Sequence, residues 1–344
     1  MRLQYLDSSR GIAACMVLLA HFQLTVLPGL STSWIYKTPI RIIADGDAAV
    51  LYFFMLSGYV LTLSMKHKEA NSIFLYLRFV EKRFFRIYPA FLTVLIVSFS
   101  ILKFINVTTM TWLDRFWQFN TGIFGLLEQT LLIVRLPNDP LLRFLPHDWT
   151  LSIEIAVSLL LPLLAVFAKR SPLIMLVIVY AAVQFLRLDP FVFDFALGVF
   201  LAGFSVKDFQ LFVNRAGIFT LGLTAVLLIC TDYLFPSIMK HADLFLIHHK
   251  IWGLAIILIL ILSKDKVRNI LSKKPLIFLG RISYSFYLWH LILLYLLVVT
   301  LDMLHPALFF LIYVVLTIVI SALSYISIEK PFLKMKILPS DKAS

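Results

Sequence analysis

Ten apolar runs of spanning or near-spanning length constrain this chain more than any other feature. They lie near residues 10–28, 46–65, 87–106, 149–168, 171–186, 190–206, 216–235, 246–263, 283–302 and 307–328. A helix needs about 20 apolar residues to cross a bilayer, and inside lipid every backbone N–H and C=O must be satisfied within the chain. Hydrophobic residues make up 61% of the 344, 31 of them Phe, and only 15% are charged. No soluble core of this size uses so much apolar surface. The pattern predicts an all-α, polytopic integral membrane protein of about ten transmembrane helices around a central cavity. The fifth and sixth runs are short, and read as weakly tilted or partly re-entrant spans.

A net charge of +12 raises the question of nucleic acid, but the cations fall in short loops between apolar runs, a signature of topology. With the N-terminus placed inside, the inner segments carry 22 Lys and Arg residues against 8 outside. That asymmetry predicts a multi-pass protein with both termini cytoplasmic. Cys15 and Cys230 lie within apolar runs and imply no disulfide framework. Residues 1–338 read as a single transmembrane domain, 339–344 as a short disordered tail, and no fused soluble domain is expected. The loop from Lys66 to Arg86 is the most basic, and the external segment 107–148 contains a piece, 111–134, that mixes aromatics with charges like an interfacial or re-entrant helix.

Ionisable residues inside such runs are costly in lipid and are candidate sites. Arg10 and His21 are eleven apart, which is three helical turns plus ~20°, so they share one face of a helix. The rise of ~16 Å between them puts His21 about mid-bilayer when Arg10 is near the cytoplasmic surface. The plainer readings are a topology anchor for Arg10 and a histidine bonded to a carbonyl for His21. In KRFFRIYP, Arg83 and Arg86 are three apart and neighbours on a helix face, a pair suited to bidentate phosphate binding. In HDWTLSIE, Trp149 belongs at the interface and Glu154 ~7–8 Å deeper. Asp194 sits at a similar depth, as a site residue or the partner of a cation. His290 in LGRISYSFYLWH reads as structurally bonded. Glu329 closes the last span, solvated or paired with Arg10 or Arg83. Ser57 with Gly58 marks a small-residue packing point. No zinc spacing, Gly-rich phosphate loop or Gly-x-Ser-x-Gly occurs.

Taken in order, LDSSRGIAA with Arg10 and His21, FFMLSGYVL, the arginines of KRFFRIYP, WTLSIE, FDFALGVFLAG, LGRISYSFYLWH and the closing SIEKPF resemble the membrane-bound acyltransferase family 3. Each piece is soft alone; their order across residues 6–332 is specific. The resemblance implies an O-acyltransferase that takes an acyl group, commonly acetyl from cytoplasmic acetyl-CoA, to a hydroxyl of a cell-surface or exported glycan such as a lipopolysaccharide or another polysaccharide. It implies Arg10, Arg83 and Arg86 for the donor's phosphates and His21 as base or acyl acceptor. Glu154 would orient that histidine or hold the acceptor, and Asp194, His290, Glu329, Trp149 and Ser57 would support the site. The expected partners are acyl-CoA, the glycan acceptor and membrane lipid, with no metal and no nucleic acid. The competing class is a transporter or flippase of a polysaccharide or polar lipid. Such a protein shows paired halves, and residues 1–170 and 171–344 show no correspondence.

Overall fold

The computed structural model describes residues 3–65, 73–105, 113, 123–132, 144–236, 248–301, 304–335 and 337. Lys66, Lys68, most of 107–148 and the tail 339–344, all named above, lie outside them. No strand occurs among the described residues. The long helices are α1 (Gln4–Val26), α2 (Gly46–Met65), α3 (Ile73–Phe104), then the short α4 (Ile123–Thr130), α5 (Trp149–Arg170), α6 (Pro172–Leu186), α7 (Phe191–Leu201), α8 (Val206–Ala216) and α9 (Ile218–Leu234). After these come α10 (Lys250–Ser263), α11 (Asp265–Leu271), α12 (Lys274–Leu301), α13 (Pro306–Ser324) and α14 (Lys330–Phe332), with a π turn over Tyr325–Glu329.

Each of the ten apolar runs contains a helix, but the span count is lower than ten. Six helices are long and apolar enough to cross a membrane, or up to seven if the bent pair α7–α8 is one span. The sixth run fails because the chain turns by 99° after Leu201 into α8. Helix α8 keeps Phe209 and Val213 buried and opens with a Ser205–Asp208 capping box, a signal that starts a new helix rather than prolonging the old one. At 15 residues, α6 rises only about 22 Å, short of a ~30 Å hydrocarbon core. Helices α9 and α10 are likewise among the shorter apolar ones.

The chain forms two compact units. Unit one comprises Met1–Gln23, Leu27–Glu69 and Leu160–Arg281. Its tightest crossing joins α2 and α7, where a Cβ on Gly58 would overlap the Phe195 carbonyl oxygen and one on Gly198 the Met55 carbonyl oxygen. Only glycine lets the two backbones come that close. A second close approach, in the same unit, sets Gly11 of α1 against Gly280, 2.7 Å from a Cβ built on Gly11 to the Gly280 amide nitrogen. Three 3-10 turns between Pro28 and Ala44 lead into α2, and Asp45 caps that helix by accepting from the Ala48 amide at 3.0 Å.

Unit two comprises Leu24–Val26, Ala70–Leu159 and Ile282–Ser344. Its core gathers Ile87, Phe91, Val94 and Leu95 of α3 with Leu145, Leu151 and Leu288. Helix α3 begins well before the apolar run at 87, so KRFFRIYP lies inside a 32-residue helix that also contains Pro89. The expected aromatic piece 111–134 is described only at 113 and 123–132, where 123–130 is helical.

Candidate functional site

Helix α1 runs unbroken from Gln4 to Val26, and its part in unit one, which ends at Gln23, carries Arg10 and His21 on one face by their eleven-residue spacing. Arg10 is partly buried and meets Asp7 at 3.7 Å, longer than a hydrogen bond. Its N-terminal half is anchored by polar contacts: Tyr52 of α2 donates to Ser9 Oγ at 2.8 Å, and Ser9 Oγ donates to the Leu6 carbonyl at 2.8 Å. His21 is half-buried. Ser57 is buried on α2 beside Gly58. Asp194, on α7, is fully buried and pairs with His248 at 2.7 Å.

Sequence reasoning missed an ionic network in the same unit. Lys250 Nζ lies 2.9 Å from Asp45 Oδ2, 3.2 Å from Asp45 Oδ1 and 2.8 Å from Asp232 Oδ2. His249 Nε2 lies 2.6 Å from Asp232 Oδ1. Beside them the Arg41 guanidinium stacks on Tyr36 at 4.0 Å and Tyr233 at 4.6 Å. Lys250 opens an apolar run and so looked like a topology charge. The only sequence signal was the triplet His248-His249-Lys250 at the edge of that run.

In unit two, Arg83 Nη2 donates to Glu154 Oε1 at 2.6 Å, a charge-assisted bond between neighbouring helices. Arg83 is buried, and its Nε makes no hydrogen bond among the described residues. Arg86 is half-buried one turn further along α3. The Tyr284 hydroxyl donates to the Ile87 carbonyl at 2.8 Å and lies within electrostatic reach of Glu154, Glu329, Arg86 and Arg83. Four of the sequence candidates therefore surround one tyrosine.

Glu329 is buried, and Ser285 Oγ donates to its Oε2 at 3.0 Å. It ends the π turn, a feature invisible in the sequence and frequent at functional positions. His290 is buried, its Nδ1 2.6 Å from the Tyr287 carbonyl, and Tyr313 donates to the His290 carbonyl at 3.1 Å. Its ring lies 5.1 Å from that of His147. Trp149 is half-buried at the start of α5. Among the described residues no group of three His, Cys, Asp or Glu side chains fits a metal ion.

The candidates thus divide between the units: Arg10, His21, Ser57 and Asp194 in the first, Arg83, Arg86, Trp149, Glu154, His290 and Glu329 in the second. A family model described as an acyltransferase domain matches residues 3–326. No curated protein and no solved structure matches the chain.

Proposed function

The chain belongs to acyltransferase family 3, and from that premise we propose that it moves an acyl group, acetyl from acetyl-CoA, to a hydroxyl of a cell-surface or exported glycan. The observation that carries this reading is α1: one unbroken helix with a guanidinium and a half-buried imidazole ~16 Å apart on the same face. An extended donor with phosphates at one end and a thioester at the other suits that spacing. Acetyl-CoA supplies the activated carbonyl. Arg10 holds phosphate, and the buried Arg83 Nε, with no protein acceptor among the described residues, fits the same anionic class, as does Arg86. Glu154 keeps the Arg83 fork in place. His21 takes the proton of the acceptor hydroxyl as its oxygen joins the acyl carbon, and returns it to sulfur as the C–S bond breaks; acylation of the imidazole itself is the variant of this step. A bacterial inner membrane with both termini in the cytoplasm is the setting this proposal takes, supported by the charge asymmetry of the loops.

His21→Ala is expected to cut acylation by about 10²–10⁴-fold, the usual span of a lost base, with the protein still folded in the membrane. Mass spectrometry of surface glycans with and without the variant reads the loss of one acetyl increment. Normal acetylation by the variant removes His21 from the chemistry.

A further inference from the structure

One pair of side chains in unit one has no part in the chemistry above. Asp194 is at 0% exposure. Its Oδ2 lies 2.7 Å from His248 Nδ1, while its Oδ1 makes no hydrogen bond among the described residues. A buried carboxylate oxygen left bare is expensive unless a further group uses it. The His248 ring is held from a second side by Phe191 at 4.7 Å, and Phe191 in turn rests 4.7 Å from Phe54. His248 also has φ 39°, a left-handed backbone that a residue with a Cβ adopts at a cost. Its side chain is nevertheless 27% exposed.

The Asp194 contact takes up Nδ1 and leaves Nε2 on the exposed side of the ring, where no described side chain or carbonyl bonds it. In the tautomer that donates Nδ1–H to Asp194, Nε2 offers a lone pair. The neighbour His249 is different: it is buried, with its Nε2 2.6 Å from Asp232 Oδ1. The charges facing His248 are Asp194 from α7 and Asp189 just ahead of it, while the adjacent Lys250 is held by Asp45 and Asp232. Two carboxylates near the ring disfavour an anionic guest such as a phosphate. A neutral hydroxyl finds an acceptor at Nε2, next to the apolar face of Phe191.

We propose that His248, aligned by Asp194, is a binding site for a hydroxyl of a neutral polyol, the sugar acceptor of the reaction. It rests on the acyl-transfer reading for the identity of that reaction. Lys250, two residues on, meets Asp45 at the head of α2, and with the N-terminus of α1 inside, as the loop charges favour, that end of α2 is the outer one, where an exported glycan arrives. Asp194 is the positioning residue, and His248 touches substrate.

The test uses the full chain in native membranes and two readouts. His248→Asn keeps an amide where Nδ1 stood, so the bond to Asp194 survives and Nε2 is lost. It is expected to lower acetate incorporation from labelled acetyl-CoA into membrane glycans by about tenfold, the worth of one hydrogen bond to substrate, with acetyl-CoA affinity within about twofold of the wild type. Incorporation at the wild-type level overturns the proposal. The second readout needs no acyl transfer: diethyl pyrocarbonate attacks a neutral, accessible imidazole nitrogen, and peptide mass spectrometry locates the adduct. His248 is expected to be modified in the wild type and at an altered rate in Asp194→Asn. An unmodified His248, or a rate indifferent to Asp194→Asn, overturns the proposal even if His248→Asn fails to fold. A wild type that modifies as expected but incorporates no acetate sinks the acyl-transfer reading alone and supports the exposed, Asp-aligned imidazole.

Discussion

Lys250 in unit one and Arg83 in unit two are both buried cations bound to carboxylate, and they are bound in opposite ways. An ammonium has three donors, and Lys250 has three carboxylate oxygens within 3.2 Å, from Asp45 and Asp232. Those residues come from the lead-in to α2, the end of α9 and the start of α10, so the cation fastens three pieces of chain together. A guanidinium has five donors. Arg83 gives one nitrogen to Glu154 and keeps a buried Nε without a partner among the described residues. A cation with every donor engaged is a clasp, while one with capacity left over can take a ligand. Two buried cations thus differ in donor capacity: Lys250 has none left over, and Arg83 keeps some.

That contrast is open to direct attack. The largest effect is expected from Lys250→Met, which leaves the buried Asp45 without its counter-ion and the partly exposed Asp232 with His249 alone, and should destabilise by about 3 kcal/mol. Thermal unfolding of the purified protein in detergent measures it, and adding Asp45→Asn and Asp232→Asn should restore much of the lost Tm. An unchanged Tm in the single variant means the clasp holds nothing. Next comes Arg83→Lys, which preserves the charge and removes the planar fork. Acetyl-CoA affinity should fall about tenfold, ~1.4 kcal/mol, with little change in Tm; a donor titration identical to the wild type takes Arg83 out of the site. The smallest effect is expected from Tyr284→Phe, which loses the bond to the Ile87 carbonyl and should cost about 1 kcal/mol. A Tm drop as large as that of Lys250→Met would mean that the surrounding charges also depend on that hydroxyl.

The helical membrane architecture was legible in the sequence because lipid allows so few alternatives, and each apolar run does hold a helix. The bend after Leu201 was not, since apolar residues continue across it and the break is made by the cap at Ser205. The start of α3 was hidden for the converse reason: its first turns are charged, and hydropathy sees only the part from 87 onward. Arg10 and His21 could be related from spacing alone because one helix carries both. Asp45 and Lys250 are 205 residues apart, and no local periodicity encodes such a meeting. Glu154 could be recognised as a residue in need of a partner, but which partner depended on the packing of α3 against α5.

The wide turn at Tyr325–Glu329 makes chain length itself a specified quantity. It accommodates one residue more than an α-helix does per turn, and Glu329 reaches Ser285 from its far end. Deleting a single residue there removes the extra one and rewinds the stretch to ordinary helix, so Pro331 and Phe332 keep their bearing, whereas the same deletion in the regular turns of α13 swings all that follows by ~100°. The last span therefore tolerates a lost letter at one place and not at its neighbours, a rule that holds for the spacing of the letters and not for the letters themselves.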